Sequence, residues 1–367
     1  MEKRRNGEID LLRFVFSLFI VIFHFNEIYN HNVFSKGSIF VEYFFLVMGY
    51  LMASHVKRRS YPEAMSSGQI ANETWRFTYN KIKVIFPYYV SAVIGHIIIR
   101  HIIVHRMSFH DTVVGLLRSI PTFTLTFLGL LPERDTQFYV GNTWFLAAMV
   151  FAILILYPML LKSYDFSLKI VFPFISMISL GYLYATKGTL LIWDGWTGFC
   201  YEGAIRGIAE ISLGAVLFCL SELLTERFKK VITSKNIVLK SILTLIKAGF
   251  FAILVIYAFG YDLGPNYSIH ALLITAIAVL LSFSDVGYSI PDSKVTRFLG
   301  KLALPIFIFH GFMRWTFHDI YPAEAVTVKM FIFMIVVSIA FSLVMMCLTD
   351  LIMKGLKALG KTISKHI

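Results

Sequence analysis

The sequence has few charged residues and few cysteines for its length. Only 15% of its 367 residues are Asp, Glu, Lys or Arg, whereas a soluble domain carries about 25%. A chain so poor in charge cannot cover its own surface with polar groups, which argues against an ordinary water-soluble protein. The three cysteines, Cys200, Cys219 and Cys347, are an odd number without metal-ligand spacing. They therefore predict neither a disulfide framework nor a zinc site.

Several motifs that mark soluble enzymes are also absent. The sequence contains no P-loop, no glycine-rich dinucleotide motif after a strand, no GxSxG nucleophile elbow and no HExxH pair. These absences argue against ATP-driven transport, serine hydrolysis and zinc catalysis, and no metal is predicted. There is also no internal repeat and no low-complexity tract, so we predict one main domain.

Long apolar runs recur from one end of the chain to the other. Hydrophobic residues make up 57% of the sequence, and the mean hydropathy is +0.71. Because about 20 apolar residues cross a bilayer as a helix, we predict an all-α, polytopic integral membrane bundle of about ten transmembrane helices. The transmembrane domain covers 1–353, and 354–367 form a basic amphipathic tail on the inner leaflet. The predicted spans are 9–28, 38–56, 82–104, 143–161, 168–185, 203–223, 237–259, 267–283, 298–317 and 326–352.

The basic residues indicate an orientation. A net charge of +12 would suggest nucleic acid binding in a soluble protein, but here the Lys and Arg residues lie between apolar runs. By the positive-inside rule they mark cytoplasmic connections, so nucleic acid is not a predicted partner. The connection before the second predicted span contains Lys36 alone, and the region after it is rich in basic residues. Those residues are Lys57, Arg58, Arg59, Arg76, Lys81 and Lys83. Both termini are predicted to be cytoplasmic, in a multi-pass protein of the inner membrane.

One apolar stretch, 112–131, does not fit this alternation. Counting it as a span would make the total odd and would reverse the charge bias of every later connection. It also contains Arg118 and Pro121. We therefore predict a re-entrant or interfacial segment on the outer side, where irregular backbone is tolerated if protein or water satisfies it.

Ionisable residues occur inside the first predicted span. Such residues are costly in lipid and are functional candidates by default. Asp10 and Arg13 are three residues apart and can pair on one helix face. Arg13 and His24 are eleven residues apart, so they share a face about 16 Å apart along the axis. A structural ion pair and a packing histidine are the alternative interpretations.

Two further groups of polar residues lie in predicted spans. His310 lies in the ninth, where a histidine bonded to a backbone carbonyl is the alternative to a functional role. Glu202, Arg206 and Glu210 recur every four residues at the outer start of the sixth. They share one helix face and predict either a salt-bridge ladder or a polar wall for a sugar or phosphate.

Five short segments stand in a characteristic order. They are 9–13 followed by His24, then 41–50, 81–89, 143–146 and 298–310, and they read IDLLR, VEYFFLVMGY, KIKVIFPYY, TWFL and FLGKLALPIFIFH. In this order they resemble the motifs of the membrane-bound acyltransferase-3 family, whose members typically O-acetylate bacterial surface glycans. The chain departs from the family pattern where Lys81 and Lys83 replace arginines and Met48 replaces a serine. No extracellular SGNH-type domain is expected.

The resemblance implies acetyl-CoA as a cytoplasmic acyl donor and a glycan or sugar acceptor reached from the outer side. The donor phosphates would be bound by basic residues of spans one and three, namely Arg13, Lys81, Lys83 and Arg76, with Asp10 beside Arg13. His24 would act as general base, and Glu27, one turn away, would orient its ring. The candidates for contacting the acceptor or the oxyanion are Tyr50, Trp144, Glu202, Arg206 and His310.

Other classes of function remain open at this point. A transporter or flippase also suits about ten spans with intramembrane charges, although it usually shows two related halves, which this sequence lacks. A non-enzymatic membrane component of polysaccharide export is a second alternative. Within the enzyme interpretation, succinyl or another acyl group could replace acetyl. The sequence specifies neither the acceptor hydroxyl nor the oligomeric state.

Overall fold

The described part of the chain confirms the all-α prediction. A computed structural model describes residues 6–59, 61, 65–127, 143–193, 195–198, 200–227, 229–232, 236–260, 264, 266–284 and 286–363. The helices are α1 (Gly7–Tyr29), α2 (Phe40–Arg59), α3 (Ser67–Gly95), α4 (Phe109–Phe127), α5 (Thr143–Lys162), α6 (Tyr164–Phe166), α7 (Phe172–Lys187), α8 (Glu202–Arg227), α9 (Lys229–Ile232), α10 (Ile237–Ala258), α11 (Tyr267–Phe283), α12 (Lys294–Ile320) and α13 (Val328–Ile363).

Short irregular elements join these helices. Gly37–Ile39 and Ala323–Ala325 are 3₁₀ turns, and π-helical segments, His96–Val104 and Ser167–Val171, follow α3 and precede α7. Before α8 the described chain forms a two-stranded antiparallel ribbon of β1 (Trp196–Thr197) and β2 (Cys200–Tyr201). The apolar periodicity of the sequence does not predict this ribbon, because each strand has only two residues.

Each predicted span lies on a helical segment. Among the described residues, eight helical segments are long and apolar enough to cross a membrane. Apart from these, α11 is a shorter apolar helix of 17 residues, and α1 has 23 residues with acidic side chains in its first turn. The total of about ten spans and the cytoplasmic position of the termini stay predictions.

Helix α3 begins well before the predicted span 82–104. Ser66 caps its first turn, because its hydroxyl accepts from the backbone N–H of Gln69 while the Gln69 side chain accepts from the Ser66 N–H. This reciprocal cap starts the helix in a polar stretch that hydropathy does not detect. The helix then continues past Pro87 into the π-helical segment.

Two predicted segments are helical in the structure, but their positions relative to the membrane are untested. Residues 112–127 belong to α4, whereas 128–131 lie outside the described residues. The predicted tail begins within α13, which continues without interruption to Ile363, and 364–367 lie outside the described residues. The re-entrant position of the first segment and the surface position of the second stay predictions.

Two helix pairs form the centre of the bundle, α2 with α8 and α1 with α12. The first pair is in backbone contact at glycines. A Cβ at Gly49 would overlap the carbonyl oxygen of Ile211, and one at Gly214 would overlap that of Leu46. The second pair is close at Gly300, where a Cβ would overlap the Asp10 side chain. These small residues therefore allow both pairs to pack closely.

The first turn of α1 is fixed to its neighbours by polar contacts. Asn6 caps it by accepting from the N–H groups of Glu8 and Ile9, and it also donates to the carbonyl of Ser282 at 3.0 Å. The buried Glu8 carboxylate accepts from the Lys247 ammonium and from the Ser282 hydroxyl, both at 2.8 Å. These contacts set the rotation of α1 and thereby the direction in which Arg13 and His24 point.

Candidate functional site

His24 lies where α1 and α12 pack together, in the second half of both helices. Its Nδ1 is 2.6 Å from Glu27 Oε2, one turn further along α1. Arg314 of α12 reaches the same place and donates from Nη1 to Glu27 Oε2 at 2.8 Å and to the His24 carbonyl oxygen at 3.3 Å. The structure thus brings together the two catalytic residues predicted from the sequence and adds a third residue, Arg314.

The contact with Glu27 favours one tautomer of His24. The Glu27 carboxylate can only accept, so a bond to it requires the proton on Nδ1. Arg314 Nη1 is 2.9 Å from the same Nδ1 and can only donate, so it favours the opposite tautomer; the contact with Glu27, at 2.6 Å, is the shorter of the two. In a neutral ring Nε2 is then the unprotonated nitrogen. This is the arrangement that a histidine base requires.

The site is partly open. The side chain of His24 is 16% exposed and that of Glu27 is 45% exposed, while Arg314 is mostly buried. A hydroxyl group can therefore approach from the Glu27 end of α1. The Arg314 guanidinium also lies over the Trp315 ring, 5.0 Å from its centroid, which supports its orientation.

His310 also lies at this site. Its ring stacks on that of His24 with centroids 5.3 Å apart, and its Nδ1 donates to the Ile306 carbonyl oxygen at 2.9 Å. A neutral ring that donates from Nδ1 has an acceptor at Nε2, so it cannot also donate from Nε2 to an oxyanion. The contacts therefore support a packing role beside His24 and make Arg314 the stronger oxyanion candidate.

Arg314 was missed by the sequence reasoning. It lies four residues after His310, inside a predicted span, and therefore on the same helix face. The rule that identified Arg13 and His24, that an ionisable residue inside a span is a functional candidate, applies equally to Arg314. What the sequence does not show is that α12 packs against α1, which brings Arg314 to Glu27.

At the other end of α1, Arg13 lines two cavities. The first has a volume of about 820 Å³ and also contains Asp10, Arg58 and Tyr50 in its wall. The second has a volume of about 570 Å³ and lies between α1, α3 and the first turns of α12. Arg13 pairs with Asp10 at 3.9 Å. The predicted pair on the first span is therefore present, at the mouth of spaces large enough for a ligand.

The basic residues of α3 are placed differently from one another. Lys81 lies near Arg13, close enough for their charges to interact, and its ammonium is 5.0 Å from the Phe77 ring centroid. Lys83 is exposed beside Tyr79, and Arg76 is exposed and paired with a glutamate on its own helix. The lining of neither cavity includes these three residues. Their predicted contact with the donor stays a prediction.

The remaining candidates are apart from His24. Tyr50 lies in the first cavity, where its hydroxyl is 2.7 Å from Ser221 Oγ and its ring stacks on Phe283. Trp144 packs against the Arg206 guanidinium at 5.7 Å and against the ring of Trp193 at 5.8 Å. Of the predicted oxyanion candidates, the structure therefore places His310 beside His24 and leaves Tyr50 and Trp144 in other surroundings.

Only part of the predicted ladder on α8 is present, the pair of Arg206 and Glu210, and Glu42 of α2 lies beside it. Arg206 Nε donates to Glu210 Oε1 at 2.6 Å, and Arg206 Nη2 is 4.0 Å from Glu42 Oε1. These three residues are almost completely buried, at 0 to 1% exposure. Glu202 instead bonds to Lys187 at 2.7 Å and to the Thr197 hydroxyl at 3.1 Å. A polar wall thus exists, but it is enclosed within the protein.

Cys200 does not have the surroundings of a reactive thiol. It lies in β2, outside the spans, and burial raises the pKa of its thiol. A raised pKa keeps the thiol protonated and unreactive near neutral pH.

Comparison with known proteins identifies a family. A family model described as an acyltransferase domain, that of the acyltransferase-3 family, matches residues 6–347. No curated protein and no solved structure matches the chain. The matched region begins before α1 and ends within α13, so it includes His24, Glu27, Arg314 and both cavities that Arg13 lines.

Proposed function

Because this chain belongs to the acyltransferase-3 family, which makes it a membrane acyltransferase, we propose that it transfers an acetyl group from acetyl-CoA to a sugar hydroxyl. The acceptor is a cell-surface or lipid-linked glycan, and the reaction takes place within the inner membrane. One observation carries this proposal. At one end of the helix pair α1 and α12, His24, Glu27 and Arg314 are in hydrogen-bond contact. At the other end, Arg13 lies beside two cavities.

In the proposed reaction His24 is the general base. Nε2 removes the proton of the acceptor hydroxyl as its oxygen attacks the thioester carbonyl carbon, and Glu27 stabilises the resulting imidazolium through Nδ1. The tetrahedral intermediate then collapses, and the carbon–sulfur bond breaks. The proton on Nε2 passes to the leaving CoA thiolate. The products are the acetyl ester and free CoA, and His24 returns to its neutral form.

Arg314 has two roles in this scheme. Its contact with Glu27 Oε2 at 2.8 Å holds the carboxylate against His24. Its guanidinium, which carries five N–H groups in a planar fork, is also the cation nearest to His24 that could stabilise a developing oxyanion. Charge stabilisation of this kind acts strongly where water is excluded. The partly buried position of Arg314 supports this role.

The two substrates approach from opposite ends of α1. The pantetheine arm of CoA is long and thin, so it can reach into the bundle from the cavities at Arg13 toward His24. The acceptor approaches from the exposed Glu27 end. Asp10 keeps the Arg13 side chain in place beside the cavities. Lys81, which faces Arg13, adds positive charge near the same opening, and Lys83 and Arg76 add charge to the exposed surface of α3.

The decisive experiment replaces His24 by alanine and by glutamine. Membranes with equal amounts of each protein receive acetyl-CoA, and mass spectrometry of the surface glycans measures acetyl groups as a 42 Da increment. Because a general base contributes about 10²–10⁴-fold to the rate, we expect both variants to lose acetylation by at least this factor.

A matched control is His55→Ala. His55 is a partly buried histidine of α2 that packs against Phe77 and Tyr157, so it tests the loss of a histidine ring outside the site. We expect normal acetylation by this variant. Acetylation by His24→Ala at the parental rate would disprove the base assignment. If the parent protein consumes no acetyl-CoA, acetyl-CoA is not its donor. If it transfers a succinyl group, the donor is a succinyl thioester.

A further inference from the structure

The second cavity beside Arg13 has a wall that is unusually rich in positive charge. Its volume is about 570 Å³, and its charged lining residues are Arg13 and three residues of the first turns of α12, which are Lys294, Arg297 and Lys301. No acidic residue is among the described lining residues. The rest of the wall is apolar or aromatic, with Tyr88 and Phe298 among its members.

The first cavity is different in charge, although it shares Arg13. Its wall contains Arg13 and Arg58 as cations and Asp10 and Asp292 as acids. These charges balance, so the larger cavity has no preference for an anion. The second cavity has four basic residues in its wall, and the acids that pair with three of them lie behind the wall and not in it. A ligand with several negative charges therefore gains most from the smaller cavity.

Acidic residues behind the wall hold three of the four cations in place. Asp10 pairs with Arg13 at 3.9 Å, Asp292 pairs with Arg297, and Asp350 pairs with Lys301. Lys294 is exposed at the first position of α12. Three acids against four cations leave the region positive. The N-terminal end of α12 adds the partial positive charge of the helix dipole on the same side.

The cavity is linked to the catalytic residues through α1. Arg13 lines the cavity and shares a face of α1 with His24, which lies about 16 Å further along the axis. On α12, Lys301 and His310 are nine residues apart, which is about 14 Å along the axis but half a turn around it. A ligand that is anionic at one end and extended at the other can thus contact Arg13 and extend along α1 toward His24.

We propose that this cavity binds the phosphates of the acyl donor, with Lys294, Arg297 and Lys301 of α12 as ligands beside Arg13. The inference rests on the proposed function, because it takes a CoA thioester as the donor. It assigns the phosphate contacts mainly to α12, whereas the sequence motifs direct attention to the lysines of α3. Binding involves no covalent change. The phosphates are held by charge-assisted hydrogen bonds, and the thioester remains free to extend toward His24.

The test measures binding by the purified full-length protein in nanodiscs of phosphatidylcholine. The variants are Lys294→Ala, Lys294→Glu and Arg297→Ala, and the probes are acetyl-CoA and S-acetylpantetheine, which lacks the phosphates. A hydrogen bond to a charged group contributes enough free energy for about a tenfold change in affinity. We expect each alanine variant to bind acetyl-CoA about tenfold more weakly and Lys294→Glu to bind it more weakly still. S-acetylpantetheine should bind all variants equally.

The matched control is Lys169→Ala. Lys169 is an exposed lysine paired with Asp165 on its own helical segment, and it lines neither cavity. We expect acetyl-CoA to bind this variant as it binds the parent. Parental acetyl-CoA affinity in Lys294→Glu and Arg297→Ala would overturn the inference, as would an equal loss of affinity for both probes. Failure of the parent protein to bind acetyl-CoA would instead overturn the proposed function.

Phosphate could also come from a lipid headgroup, and a second arm separates the two sources. The same titrations are repeated in nanodiscs that contain phosphatidylglycerol. If the cavity serves the donor, Lys294→Glu weakens acetyl-CoA binding in both lipids. If the cavity binds a lipid headgroup, Lys294→Glu abolishes the increase in protein stability that phosphatidylglycerol causes and leaves acetyl-CoA binding unchanged. This result would overturn the inference.

Discussion

Among the described residues, two of the polar clusters inside this bundle differ in access and in hydrogen bonding. The cluster of His24, Glu27 and Arg314 is open at Glu27, and the Glu27 carboxylate lies within hydrogen-bond distance of both of its partners. The cluster of Glu42 and Arg206, with Glu210, is enclosed at 0 to 1% exposure. In that second cluster both oxygens of Glu42 and Nη2 of Arg206 lack a hydrogen-bond partner.

The difference shows that an ionisable residue in a span is only the first criterion for function. Both clusters meet it, and both combine carboxylates with an arginine. Access to a substrate and an unprotonated ring nitrogen distinguish the first cluster, whereas the second joins α2 to α8 where their backbones touch. We therefore expect changes in the first cluster to affect activity and changes in the second to affect stability.

The largest effect on stability is expected from Arg206→Met. This change leaves the carboxylates of Glu42 and Glu210 buried without their cation, which costs about 3–5 kcal/mol when one partner of a buried pair is removed. Thermal unfolding in detergent should show a lower Tm and less folded protein. Adding Glu42→Gln and Glu210→Gln to Arg206→Met should restore much of the loss. If Arg206→Met is as stable as the parent, the cluster of Glu42, Arg206 and Glu210 does not stabilise the bundle, and the two clusters do not differ in this way.

The next effect in size is expected from Glu27→Ala. Without the carboxylate, Nδ1 of His24 has no fixed acceptor and the imidazolium loses its counter-charge. We expect acetyl transfer to fall about 100-fold, which is about 2.7 kcal/mol of transition-state free energy, with little change in Tm. Glu222→Ala, which removes an exposed carboxylate paired with Lys57, should retain normal transfer. If Glu27→Ala unfolds instead, the cluster of His24, Glu27 and Arg314 has a structural role and not a catalytic one.

The smallest of these effects is expected from Arg314→Lys. Lysine keeps the positive charge but is shorter and lacks the planar guanidinium whose Nη1 contacts both Glu27 and the His24 carbonyl. We expect the kcat to fall about tenfold while the KM for acetyl-CoA stays unchanged, because the proposed phosphate site is at the other end of α12. Steady-state kinetics in proteoliposomes measure both constants. A change in KM alone would place Arg314 in substrate binding and not in catalysis.

Much of the fold could be predicted from the sequence, because lipid imposes length and hydropathy on each span. The ten apolar segments are all helical, and Asp10, Arg13, Glu27 and His24 lie on the predicted helix. The early start of α3 was missed, since a capping box in a polar segment has no hydropathy signal. The ribbon before α8 was missed because it is held by only two residue pairs.

The candidate site was predictable only in part, because it depends on which helices pack together. His24 and Glu27 are close in sequence, so their contact follows from helix geometry. Arg314 joins them from 287 positions away, and nothing in a single sequence pairs α1 with α12. For the same reason the sequence does not predict that Glu42 lies beside Arg206, or that Lys294 and Arg13 line the same cavity.

Helix α1 runs without interruption from Gly7 to Tyr29 and carries both Arg13 and His24. Their separation is therefore fixed by the helical rise and cannot change unless backbone hydrogen bonds break. A donor anchored at the Arg13 end would present its thioester at a constant height, so α1 would act as a ruler. Each carbon added to the acyl chain would then lie beyond His24, toward the acceptor. The ruler would therefore measure the pantetheine arm, and the space beyond His24 would determine which acyl groups react.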